Sequence, residues 1–119
     1  MIIKSIFSSI VLSAVFAGAA SGKPVCGNAS HYGHGDIYHG RIAADGSRFN
    51  AYGLSTAHRW PPFGTKLRVV NPSNGKSVVV PVTDRGPFIP GRSLDLSYGA
   101  VKAIANPDQG VVRVCYREV

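Results

Sequence analysis

The clearest pattern along the chain is a two-residue alternation. From Thr65 to Val70, Leu67 and Val69 alternate with Lys66 and Arg68, and from Ser77 to Asp84 a β-branched run follows. Such alternation sends successive side chains to opposite faces of a strand. Asn71-Pro72-Ser73-Asn74-Gly75 supplies turn residues between the two runs, so together they predict a hairpin. Val78, Val80 and Val82 share one face of the returning strand, and the same period brings Asp84 into register with them at its end. Gly86-Pro87 and Pro90-Gly91 then enforce a loop. An acid is thus expected at the rim of a groove, with Arg85 projecting the other way.

The remaining elements are shorter. Ala29 to Tyr32 and Leu54 to Ala57 read as short strands, and Val112, Val114 and Tyr116 form a last alternating strand. A single helix is expected from about Tyr98 to Ala105, with Ala100, Val101 and Ile104 as its apolar face and Asn106-Pro107 as its stop. Asp95 or Ser97 can cap it, and Asp-Leu-Ser before a helix assigns Asp95 to that structural role. Gly99 weakens the helix locally. Gly, Pro, Asn and Ser every few residues, with short apolar runs between them, predict a mainly β barrel or sandwich.

The N-terminus has a different character. Lys4, an uncharged apolar stretch from Ile6 to Phe16, and Ala17-Gly18-Ala19 together read as a secretory signal peptide over residues 1–19. The stretch is short for a membrane span, so no stable insertion of the mature chain is expected. Residues 20–27 read as a lead-in and 28–119 as one domain. Cleavage after Ala19 leaves 100 residues, and loss of Lys4 lowers the net charge from +7 to +6.

Export places the protein in the periplasm or outside the cell, where a disulfide persists. The two cysteines, Cys26 and Cys115, allow one intramolecular pair, and closing so long a loop restricts the unfolded chain by about 4 to 5 kcal/mol. Lys23-Pro24-Val25 before Cys26 is not the small-residue run of a lipidated cysteine, so an unlipidated product is expected. The basic residues are dispersed and form no block of like charge. The excess suits polyanionic surfaces in general. No nucleic-acid module accompanies it, and nucleic acid is not expected as a partner.

The order of several short motifs is more specific than any one of them. Ala29-Ser30-His31-Tyr32-Gly33, His39-Gly40-Arg41, Leu54-Ser55-Thr56-Ala57-His58, Pro62-Phe63-Gly64-Thr65, Asn74-Gly75, Val82-Thr83-Asp84-Arg85-Gly86-Pro87-Phe88 and Gly91-Arg92-Ser93-Leu94-Asp95-Leu96-Ser97 together resemble the rare lipoprotein A (RlpA-like) family over nearly all of residues 28–117. The resemblance implies a six-stranded double-psi β-barrel with one or two short helices. It also implies a lytic transglycosylase that cuts peptidoglycan glycan strands, preferably peptide-free ones, and needs no cofactor.

Glycoside hydrolysis ordinarily uses two carboxyl groups. A lytic transglycosylase can manage with one, because the 6-hydroxyl of the same muramic acid attacks its own anomeric carbon and is already tethered. One acid/base then protonates the glycosidic oxygen and accepts the hydroxyl proton. The family's catalytic aspartate falls on Asp84 and its histidine on His58, which would bond Asp84 or a substrate hydroxyl. A structural strand-end role for Asp84, and a turn-supporting role for His58, are the plain alternatives. Tyr32, His39, Arg41, Ser47, Arg85 and Arg92 are the candidates for substrate contact.

The chain departs from the family where Ser47 and Asn50 stand at positions that are often acidic. That departure favours a second reading, a noncatalytic glycan-binding or expansin-like wall-loosening module. His31, His34, Asp36 and His39 form H-x-x-H-x-D-x-x-H, but the spacing matches no zinc signature and the glycine-rich loop lacks preorganisation, so no metal is expected.

Overall fold

The computed structural model describes residues 23–119; the expected signal segment falls outside the described residues. The elements follow in the order β1 (Val25–Tyr32), β2 (Thr56–Ala57), β3 (Lys66–Val70), β4 (Ser77–Asp84), β5 (Arg92–Ser97), α1 (Tyr98–Ile104), a 3-10 turn (Pro107–Gln109) and β6 (Val112–Glu118). The six strands close into a barrel in the order β1-β5-β2-β4-β3-β6, and β6 returns to β1. The β1/β5 and β2/β4 pairs are parallel and the other four are antiparallel.

The hairpin forms as the alternation requires, with Val70 opposite Ser77 and Lys66 opposite Pro81. Its inward residues Leu67, Val69, Val80 and Val82 join Leu94, Leu96 and Val114 from the other strands in the core. Val78 packs on this core only partly buried. The helix covers one flank of the barrel with Ala100, Val101 and Ile104, the three residues its periodicity selects.

Two local expectations need correction. Val25–Gly27 of the lead-in are strand residues, because Val25 pairs with Tyr116 and Gly27 with Val114 across the β1/β6 seam. There Cys26 lies directly opposite Cys115 and the two form a disulfide. The cap of α1 is Ser97, whose hydroxyl accepts from the Ala100 N–H at 3.2 Å. Asp95 lies inside β5, two residues too early to reach the orphan N–H groups of the first turn. Gly99 is tolerated within the helix because a Cβ there would stand 2.6 Å from the carbonyl oxygens of both Tyr52 and Gly53.

The segment between β1 and β2 is a long excursion that folds back on itself. The Gly40 N–H bonds the Phe49 carbonyl at 2.8 Å, the Phe49 N–H bonds the Arg41 carbonyl at 2.7 Å, and Ile42 bridges to Arg48. Its innermost turn touches β4 through the Asp45 N–H, which bonds the Thr83 carbonyl at 3.1 Å. The excursion is thereby fixed against the strand that carries Asp84.

Candidate functional site

Asp84 ends β4, where the strand leaves the sheet for the Gly86-Pro87 loop. Its Oδ1 accepts from two backbone donors, the Arg85 N–H at 3.0 Å and the Ala44 N–H at 3.1 Å, and its Oδ2 accepts from the Tyr32 hydroxyl at 3.3 Å. Three separate stretches of chain therefore fix one carboxyl group. Burial, then the Asp84 and Asp95 charges, push the Tyr32 pKa up, so its hydroxyl keeps its proton and remains a donor. Behind Tyr32, the Phe49 ring stacks in parallel at 4.4 Å between centroids.

Asp84 faces a groove of about 330 Å³ lined also by Ser30, Tyr32, Tyr38, Ala57, Arg85, Phe88 and Asp95. Phe88 and Tyr38 are 78% and 50% exposed, so the walls offer aromatic surface able to stack on sugar rings. Asp95 is the residue that local sequence reasoning missed. Its Oδ1 accepts from the Ser30 hydroxyl at 3.1 Å, and burial raises its pKa, opposed by Ser30, His31 and Arg92. Two carboxyl groups thus share one groove, and the alternation of Ser93, Leu94, Asp95 and Leu96, a strand signal that turns Asp95 away from the core leucines, was what could have placed it there.

His58 is joined to Asp84 through the backbone, its N–H bonding the Asp84 carbonyl at 3.1 Å. The imidazole itself is buried, at 5% exposure. Its Nδ1 accepts from the Arg59 N–H at 2.8 Å and its Nε2 lies 3.4 Å from the Tyr116 hydroxyl. Burial, with the charges of Arg59 and Arg85, lowers its pKa. The ring is thus tied to the Arg59-Trp60-Pro61 turn through the Arg59 N–H.

The other candidates divide. Arg85 lines the groove, and its guanidinium lies 3.9 Å over the Phe63 ring while donating to the His58 and Pro61 carbonyls at 3.3 and 2.7 Å. Arg92 lies on the far side of Phe88 and Ile89, in an adjoining basin. His39, Arg41 and Ser47 belong to the excursion: His39 Nδ1 accepts from the Ala51 N–H at 3.1 Å, Arg41 reaches the Ile37 carbonyl at 3.5 Å, and the Ser47 hydroxyl donates to Asp45 Oδ1 at 2.6 Å. Ser47 and Asn50 border a separate, smaller recess. Among the described residues, no cluster of His, Cys, Asp and Glu is arranged to hold a metal ion.

The closed six-stranded barrel and its order of motifs agree with the comparisons to known proteins. Residues 24–116 match the family described as lytic transglycolase, and the chain belongs to this family of RlpA-like double-psi β-barrels. It is 51% identical over 88 residues to the probable endolytic peptidoglycan transglycosylase RlpA of Nostoc sp. (strain PCC 7120), covering 74% of this chain and 24% of that one. The endolytic peptidoglycan transglycosylase RlpA of Pseudomonas aeruginosa (strain PAO1) is 43% identical over 88 residues, again 74% of this chain and 25% of the relative. The chain therefore spans about a quarter of the length of these two relatives. Among solved structures it resembles the Streptomyces papain inhibitor, with a TM-score of 0.66 and 25% identity over 83% of this chain and 96% of that one. It also resembles a Clavibacter michiganensis expansin in complex with cellohexaose, with a TM-score of 0.65 and 25% identity over 82% of this chain and 50% of that one.

Proposed function

We propose that the protein is an exported lytic transglycosylase that cleaves peptidoglycan glycan strands, preferably peptide-free ones, and leaves 1,6-anhydromuramic ends. The observation that carries this reading is Asp84, an oriented carboxyl group opening on a groove walled by aromatic side chains. In this scheme the glycosidic oxygen takes a proton from Asp84 as the C1–O bond breaks. The 6-hydroxyl of the same sugar then bonds to C1 and returns its proton to the carboxylate. Asp95, whose carboxyl accepts from the Ser30 hydroxyl, is a second hydrogen-bonding group for a sugar hydroxyl in the same groove. His58 supports this arrangement from a distance: its backbone N–H bonds the Asp84 carbonyl, while its ring bonds the Arg59 N–H rather than the carboxyl group.

The test is to incubate the mature domain with peptide-free glycan strands and to look by mass spectrometry for 1,6-anhydro ends. Their formation by the wild type and loss in Asp84→Asn is the expected result. A second reading, a noncatalytic wall-binding or wall-loosening module, is favoured by Ser47 and Asn50 and by the likeness to an expansin that holds an oligosaccharide. Sedimentation with sacculi but no anhydro product would select it.

A further inference from the structure

The acid groove is not the end of the concave surface. Phe88 and Ile89 line it on one side, and the same two residues line a second basin of about 430 Å³ with Arg59, Pro90, Gly91, Arg92 and Ser93. The two depressions share these residues, but their charged groups differ. The first holds Asp84 and Asp95 with Arg85, whereas two arginines and no acid line the second.

Arg59 is preorganised. Its Nη1 donates to the Pro87 carbonyl at 2.8 Å and to the Arg92 carbonyl at 2.9 Å, and its guanidinium lies 4.8 Å from the Trp60 ring centroid. These neutral acceptors fix the group without cancelling its charge. Arg92 begins β5, and its charge is felt at Asp95 within the groove. An arginine held by neutral acceptors, with a second arginine lining the same basin, suits a carboxylate, which a guanidinium can bind through charge-assisted and bidentate hydrogen bonds.

We infer that the Arg59–Arg92 basin is an anionic subsite that receives the free lactyl carboxylate of a muramic acid residue in the same glycan strand as the sugar held at Asp84. The inference rests on the reading of the protein as a glycan-strand enzyme. Muramic acid is the acidic sugar of such a strand, and it recurs at every second ring. A stem peptide converts the same carboxylate into an amide and removes its charge. The basin therefore distinguishes peptide-free strands from substituted ones by charge as well as by bulk.

The experiment uses three probes with the mature protein: peptide-free glycan strands, the same strands after carbodiimide conversion of their carboxylates to methylamides, and chitohexaose, which has no carboxylate. Binding is measured by calorimetry and product formation by mass spectrometry, on the wild type, Arg92→Gln and Arg92→Lys. The wild type is expected to bind the carboxylate strands about tenfold more tightly than the methylamides, the effect of one charge-assisted contact. Arg92→Gln should bring the two within about twofold, and Arg92→Lys should restore part of the difference. Equal binding of both strands by the wild type, or an undiminished preference in Arg92→Gln, would overturn the subsite. A carboxylate preference in binding with no anhydro product from any probe would leave the subsite standing and remove the enzymatic reading instead.

Discussion

Asp84 and Asp95 flank the same residue: Ala57 of β2 pairs with Asp84 of β4 on one side and with Asp95 of β5 on the other. The two carboxyl groups reach one groove from strands separated by a single intervening strand, but their partners differ. Asp84 accepts two backbone N–H groups and a phenol, whereas Asp95 accepts one hydroxyl from Ser30. Asp84→Asn should lower turnover of glycan strands by at least about 100-fold, since it removes the acid/base group. Asp95→Asn keeps a polar group of the same shape and should lose less, about tenfold or below. Initial rates of anhydro-product formation compare the two, and equal losses would refute the division of roles.

Asp95 also gives a stability prediction with a definite sign. Its native pKa is raised, so the native state binds a proton more readily than the unfolded chain does. At pH 7 the buried charge costs stability, and that cost is relieved as pH falls through the native value toward about 3.9. Asp95→Asn should therefore be more stable than the wild type at pH 7, and the gap should close under acid. Urea midpoints at both pH values measure it.

His58 acts in the opposite direction. Its native pKa is lowered, so the unfolded state takes up the proton first. Its contribution is complete above about 6.5 and is lost as pH falls from there to the depressed native value. Denaturant midpoints between pH 8 and 5.5 should fall in the wild type and fall less steeply in His58→Gln.

The Tyr32 hydroxyl and the ring behind it form one support for Asp84. Tyr32→Phe removes the bond to Oδ2 and should slow turnover about fivefold, the effect of one hydrogen bond. Gly33→Ala should be more damaging. At φ +104° a Cβ would stand 2.5 Å from a Phe49 ring carbon and 2.6 Å from the Ala51 Cβ, and Phe49 is the ring stacked on Tyr32. Thermal melts combined with rates should show loss of both stability and activity.

The hairpin, the helix and the rim position of Asp84 were legible in the sequence because each depends on a local period or stop. Asp95 was not, since the Asp-Leu-Ser pattern before α1 resembles a cap and masks the strand that runs to Ser97, and its partner Ser30 lies 65 residues earlier in the chain. The Ala44 contact was also hidden, because a backbone N–H can serve from any residue type except proline. His58 was placed beside Asp84, but the burial of its ring against Tyr116 depends on β6. His39, Arg41 and Ser47 carry recognisable motifs, yet the fold of the excursion gives their side chains partners outside the acid groove.

The seam between β1 and β6 carries the disulfide, whose two cysteines are 89 positions apart in sequence. A ring of strands has no free edge, and so offers no template on which another chain could add a strand. Reduction weakens the seam between the first and last strands of the described residues, and any opening there would bare two rows of unpaired backbone donors and acceptors. The covalent link therefore protects solubility as well as stability: under reducing conditions the protein should associate through β-pairing at temperatures where the oxidised form stays monodisperse.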